Sequence, residues 1–286
     1  MLVDRLYEVE VSDVQRKTLG KYQTVFRAFD AWMAERHYAA EALTATQAQE
    51  FIAWAHRNQR WHPTTIQQRC TMLKSAWLSA QDRGMQVGNP WRRCKLPRVP
   101  QPVPRTYTND ELRDLLATVR TAREDVFLKL QIFNGLRGIE VRRAERDKVD
   151  LKAGEMWVDG KGHRLRKIPL HPEVARALHR LFQERPQDRW VLHGARSSAG
   201  QLGDTWAQTT GRALCDRAGV PYRGLHAFRR TLASTLDEEG VAASLIEALL
   251  GWSSTSVRLR HYTRVLDVRL HDAILAAYKS DPLIVR

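Results

Sequence analysis

The sequence of 286 residues predicts a two-domain, mainly α protein that carries a small antiparallel β-sheet in its second part. Three observations predict it. Apolar residues recur at helical spacing through the first third. A basic, proline-rich stretch then breaks all periodicity. Further on, between Lys148 and Leu170, the pattern shortens to runs of strand length separated by turn residues. The length allows two domains with a core each, and an apolar share of 43% is that of a globular chain.

The N-terminal elements follow from their stripes. Leu19, Tyr22, Phe26, Phe29 and Met33 advance by three and four residues and line one helix face, with Ser12 and Gln15 placed to cap it. A second helix is expected to start near Thr46, with Gln49 three residues on, and to bury Phe51, Ile52 and Ala55. Ile66, Cys70, Leu73, Trp77 and Ala80 make a third stripe that ends at Gly84. Together they give a small helical bundle over residues 1–97.

Four prolines between Lys95 and Arg105 exclude helix and favour an extended connector, placed at residues 98–107. Thr108-Asn109-Asp110-Glu111 then reads as a capping box that opens a helix through Leu112, Leu115 and Leu116. The second domain, 108–286, stays helical to about Asn134-Gly135. Val149–Leu151, Glu155–Val158 and Arg166–Leu170 read as three strands, with turns at Asp159-Gly160 and Gly162. Helices are expected again at Pro172–Phe182, Asp204–Ala218, His226–Glu238, Ala243–Leu250, Ser254–Tyr262 and Leu270–Tyr278.

Composition narrows the function. The apolar runs are too short to cross a bilayer, and the N-terminus does not have the layout of a secretion signal, so a cytoplasmic protein without a membrane partner is expected. Cys70, Cys94 and Cys215 are odd in number and widely spaced. They read as buried small hydrophobes in a reducing compartment, with no metal-ligand pattern. The formal net charge is +14 and the isoelectric point is near 10.1. Residues 1–107 hold 16 Lys and Arg against 9 Asp and Glu, about +7, and the remainder carries as much again. Charge spread over both domains suits a long polyanion touched by both.

Four short segments could carry chemistry. In Gly135-Leu136-Arg137-Gly138-Ile139-Glu140, Arg137 lies between two helices, where its guanidinium and free backbone N–H groups could face an anion, and Glu140 could orient nearby basic groups. Lys161 sits at the tip of the turn Gly160-Lys161-Gly162. His226 and Arg229 share a helix face at i and i+3. Leu250-Gly251-Trp252 precedes His261-Tyr262-Thr263, with Tyr262 ten residues beyond Trp252. Taken singly, each is better explained by ordinary surface or core roles.

In this order and spacing the segments resemble the tyrosine recombinase (phage integrase) family, which includes lambda integrase, Cre and the Xer recombinases. The resemblance is detailed from Thr108 to about Leu266. It is looser over residues 12–97, which resemble the family's SAM-like, DNA-binding core-binding domain, down to Gly88-Asn89-Pro90. It implies a catalytic domain at 108–286 and a scissile phosphate clamped by Arg137 and Arg229. Lys161 would be the general acid, His226 would assist proton transfer, and Tyr262 would be the nucleophile. Glu140 would organise the site from behind. Trp252 stands where many relatives have histidine; its indole N–H can donate to a phosphate oxygen but cannot shuttle a proton. Arg230 is expected to be structural or backbone-contacting.

The implied reaction is site-specific cleavage and rejoining of double-stranded DNA at recombination sites, through a 3′-phosphotyrosine, by a homotetramer. Arginines offer paired hydrogen bonds to the non-bridging oxygens and offset charge developing in the transition state. A phenol with a reference pKa of about 10 needs positive charge and a proton acceptor nearby. No metal or nucleotide cofactor is expected, in keeping with the lack of a Walker motif or carboxylate metal cluster. A type IB topoisomerase, or a non-catalytic DNA-binding protein on the same scaffold, are the alternatives. The apolar run Ala273–Ala277 could dock on a neighbouring subunit or on its own domain. Target sequence and biological role, whether prophage integration, transposition or dimer resolution, stay open.

Overall fold

The structure, a computed structural model, describes residues 4, 7–8, 16–85, 87–99, 105–160, 165–185, 187–194, 200–252 and 263–281. The chain divides into two compact units, Met1–Pro102 and Val103–Arg286.

The first unit is built on α1 (Arg16–Glu35), α2 (Ala45–Asn58) and α3 (Pro63–Asp82), with a 3-10 turn at Pro90–Arg93 packed on α2 and α3. The stripes meet in an aromatic core. Phe29, Trp32, Phe51, Trp77 and Trp91 are all buried, and Phe29 packs edge-on against Phe51 with ring centroids 5.1 Å apart. Trp91 lies 5.3 Å from Phe29, so the 3-10 turn closes the bundle. Gly84 ends the α3 segment in the left-handed region, at φ +82°, which glycine enters without a Cβ penalty.

Two expectations for this unit need correction. The box that opens α2 is Thr44 with Gln47, two residues before the expected pair. Gln49 is engaged elsewhere: its amide accepts from Lys95 N at 2.8 Å and donates to Lys95 O at 3.0 Å, pinning the chain that leaves the bundle. Cys94 is half-buried where burial was expected, because its 3-10 turn lies at the edge of the core, whereas Cys70 and Cys215 are buried. The proposed cap at Ser12 and Gln15 lies outside the described residues, as do linker residues 100–104.

The second unit begins with α4 (Asn109–Ala117), capped as expected. Thr108 Oγ1 accepts from Glu111 N, and Glu111 accepts from Thr108 N at 2.9 Å. Next come α5 (Ala122–Ile132) and the short α6 (Gly138–Arg142), then strands β1 (Val149–Asp150), β2 (Glu155–Asp159) and β3 (Leu165–Pro169). The sheet is antiparallel in the order β1-β2-β3, with Met156 opposite Ile168 and Val158 opposite Arg166. Met156, Val158 and Ile168 are buried against the helices, while Trp157 and Leu165 are exposed. The strands run one residue shorter, one longer and one earlier than expected, since pairing register rather than composition ends them.

Helices α7 (Pro172–Glu184), α8 (Trp206–Ala218), α9 (Leu225–Glu238), α10 (Ala243–Leu250) and α11 (Thr263–Leu275) complete the unit. The expected helix at Ser254–Tyr262 lies outside the described residues. The final helix starts at Thr263, earlier than the predicted Leu270, with no Gly or Pro from there to Tyr278 to stop it. It packs on α10 and β3, and Ala273, Ile274 and Ala277 are buried in the core of their own unit. Among the described residues no helix is long and apolar enough to cross a membrane.

Candidate active site

The site forms where the α5–α6 turn meets the ends of α9 and α10. Gly135 makes that approach possible. Its φ is +57°, and a Cβ there would lie 2.8 Å from Leu250 Cδ2 and 3.0 Å from Leu232 Cδ2. A side chain there would have to displace those leucine methyls and adopt a backbone conformation that favours glycine. The close approach lets the Gly135 carbonyl accept from Arg229 Nη1 at 2.7 Å. Asn134, also buried, donates to Pro169 O at 2.7 Å and so ties the turn to the end of β3.

Arg137 stands directly before α6. Its backbone N–H is not free, as the sequence suggested, but donates to Glu140 Oε2 at 2.8 Å. Its guanidinium donates from Nη1 to Glu140 Oε1 at 2.8 Å and from Nη2 to Gly251 O at 3.1 Å. Glu140 is 1% exposed, and it also accepts both Nη groups of Arg166, at 2.8 and 3.2 Å. Burial alone would raise its carboxyl; the hydrogen bonds and charge of Arg166, followed by the amide and guanidinium of Arg137, outweigh burial and leave it lowered. Glu140 is therefore a buried carboxylate shared by two arginines.

Arg229 is 3% exposed and enters the site from the second turn of α9. Burial, and then the charge of Arg137, pull its guanidinium down to about 9, with Glu140 opposing and Arg166 adding to the repulsion. It remains protonated at neutral pH. Its Nη2 is buried and finds no hydrogen-bond partner among the described residues. Such a group is costly to leave unmatched, and an anion would match it. Three arginines around one carboxylate leave the centre with an excess of positive charge.

His226 lies one turn before Arg229 on the exposed rim. Desolvation by the surrounding protein, then the charges of Arg229, Arg137 and Arg230, hold its imidazole below the usual value, while Glu140 pulls the other way. It is thus neutral at pH 7 and able to take a proton. Trp252 follows the left-handed Gly251; its amide donates to Glu247 O at 2.9 Å, and its ring lies 5.8 Å from the Arg229 guanidinium carbon. Of the residues singled out in the sequence, Arg137, Glu140, His226, Arg229 and Trp252 are brought together. Lys161 and Tyr262 lie outside the described residues. Arg230 donates to the Arg105 carbonyl from Nε and Nη2 and so anchors the start of the unit.

Sequence reasoning missed Arg166. It sits on β3 in the basic run Arg164-Leu165-Arg166-Lys167, and nothing local distinguishes it from its neighbours. Its partner lies 26 residues away, a separation that no periodicity reports.

Fold and arginine cluster together define the class of the tyrosine recombinases, enzymes that cut and rejoin DNA. Within that class, the phage integrase family matches residues 105–269, more than half of the chain, and the chain belongs to that family. The tyrosine recombinase XerC of Mycobacterium bovis (strain BCG / Pasteur 1173P2) is 26% identical over 273 residues, spanning 90% of this chain and 89% of that protein. Among solved structures, the fold is similar to the XerH site-specific recombinase bound to palindromic difH substrate in a post-cleavage complex. The TM-score is 0.68 at 17% identity, over 90% of this chain and 78% of that one. It is also similar to the lambda integrase tetramer bound to a Holliday junction, with a TM-score of 0.65 at 17% identity, over 89% and 77% of the two chains.

Proposed function

We propose that this protein is a site-specific recombinase that cleaves and rejoins double-stranded DNA through a covalent bond to Tyr262. The observation that carries the reading is the buried, unmatched Nη2 of Arg229 beside Arg137, His226 and Trp252, a centre of excess positive charge suited to a phosphodiester. Arg137 and Arg229 hold the non-bridging oxygens, and Trp252 adds an indole N–H. The Tyr262 phenol oxygen attacks phosphorus, and its proton passes to neutral His226. The bond from phosphorus to the 5′-oxygen breaks, and Lys161 protonates that oxygen. The product is a 3′-phosphotyrosine and a free 5′-hydroxyl. A second 5′-hydroxyl then reverses the step on a new strand, with the phosphoester energy retained and neither metal nor ATP consumed.

Residues 1–97 also bind DNA, a reading supported by the positive charge of both parts of the chain. The protein works as a homotetramer on recombination sites in the cytoplasm, a reading supported by the lambda integrase tetramer on a Holliday junction. A nicked suicide substrate tests the chemistry. The wild type should become covalently joined to DNA, and Tyr262→Phe should bind DNA without forming the adduct. An adduct retained by Tyr262→Phe would refute the assignment. Exchange of strands between two DNA sites, rather than relaxation of supercoils alone, separates this reading from a type IB topoisomerase.

A further inference from the structure

We infer that Arg166 is a positioning residue for DNA cleavage, one that fixes the orientation of Arg137 from both sides without touching the phosphate. The inference rests on the recombinase reading above for its functional consequence. Its geometric content is independent of that reading.

Two groups orient the Arg137 guanidinium, the Glu140 carboxylate and the Gly251 carbonyl. Arg166 binds the first and packs close to the residue that carries the second. Each of its Nη groups donates to a different oxygen of Glu140, so the carboxylate is held in plane and cannot swing away from Arg137. The same side chain fills the space beside Gly251. A Cβ there would sit 2.9 Å from Arg166 Nε, 3.0 Å from Cζ and 3.1 Å from Cδ, and with φ at +62° the position suits glycine on both counts. Gly251 is the residue from which the chain departs towards Tyr262.

Two of the guanidinium N–H donors of Arg166 are engaged by one carboxylate. Both Nη groups are on Glu140, and Nε is buried against Gly251 with no hydrogen-bond partner among the described residues. Its side chain is 17% exposed. Its paired hold on Glu140 and its packing beside Gly251 place it to act through Arg137. It also joins β3 to the turn after α10, the two segments that lead to Lys161 and to Tyr262. Displacement of an orienting group by about 1 Å can slow a reaction about 100-fold.

The experiment compares Arg166→Met, which keeps the volume and removes the charge, with Arg166→Lys, which keeps the charge but cannot bridge two oxygens. Single-turnover cleavage of the nicked substrate at saturating protein should fall about 100-fold in Arg166→Met, with DNA affinity within about threefold of wild type, since many other cations share binding. Arg166→Lys should recover about tenfold of the loss. Amide hydrogen exchange at Gly251 and Trp252 should quicken in Arg166→Met and stay near wild type in Arg166→Lys. Cleavage within about threefold of wild type in Arg166→Met would overturn the inference. So would equal losses in both variants, or unchanged exchange at Gly251 and Trp252. If the wild type forms no Tyr262-dependent adduct, the recombinase reading fails, while the exchange data still decide whether Arg166 holds the Gly251 turn.

Discussion

Acidification should destabilise the second unit through one buried histidine. His171 is 2% exposed, stacks on Phe133 with ring centroids 4.5 Å apart, and caps α7 by accepting from Glu173 N at Nδ1. Its ring also hydrogen-bonds the Ala277 backbone, just beyond α11. Nδ1 can accept in this way only while the ring is neutral. Burial is the main cause that lowers its pKa from 6.5 to about 4; Arg176 and Lys129 add to the effect, and Glu173 and the Ala277 bond oppose it. Between those two values the unfolded chain binds a proton that the folded chain refuses. The stability conferred by the neutral ring is thus full above about pH 6.5 and is lost as pH falls towards 4. At 1.36 kcal/mol per unit the full loss is about 3 kcal/mol, of which about 2 kcal/mol has gone by pH 5. Urea denaturation at pH 7.5 and at pH 5 should show it. His171→Asn retains a capping acceptor without a titrating ring, so the wild type should lose about 2 kcal/mol more than the variant over that interval. Parallel losses in the two proteins would refute the argument.

Glu140→Gln removes the counter-charge of Arg137 and Arg166, and breaking a buried ion pair in this way should cost about 3 to 5 kcal/mol, read by the same denaturation. A loss below about 1 kcal/mol would mean that the carboxylate does not hold the cluster. Arg229→Ala should slow cleavage about 100- to 1,000-fold while DNA affinity changes only a few-fold; equal losses in the two would make Arg229 a mere binding contact. EDTA should leave the rate of covalent attachment unchanged, and strong inhibition would point to a metal-assisted reaction.

Much of this molecule was legible in its sequence because the signals are local. The stripe through Phe26, Phe29 and Met33 reports a buried helix face, and the pattern Thr108 to Glu111 writes its own hydrogen bonds. The resemblance carried by four short segments pointed to Arg137, Glu140, His226, Arg229 and Trp252, which the structure gathers into one centre. Other features resisted. Gln49 matched a capping pattern, yet its amide holds Lys95, and nothing within a few residues of either announces that contact. The sequence also left Ala273–Ala277 free to dock on a neighbour or on its own unit; packing against α10 and β3 determines that it covers its own core.

The sequence by itself determined the helical periodicity, the cap at Thr108 and Glu111, the basic charge and the order of the chemical groups along the chain, since each depends on neighbours a few bonds away. Tertiary structure alone decided that Arg166 and Glu140 would share one buried ion pair and that Gly135 and Gly251 would admit side chains from distant elements. Those contacts join residues far apart in the chain, and their energies depend on burial, which exists only once the helices and the sheet have closed around them.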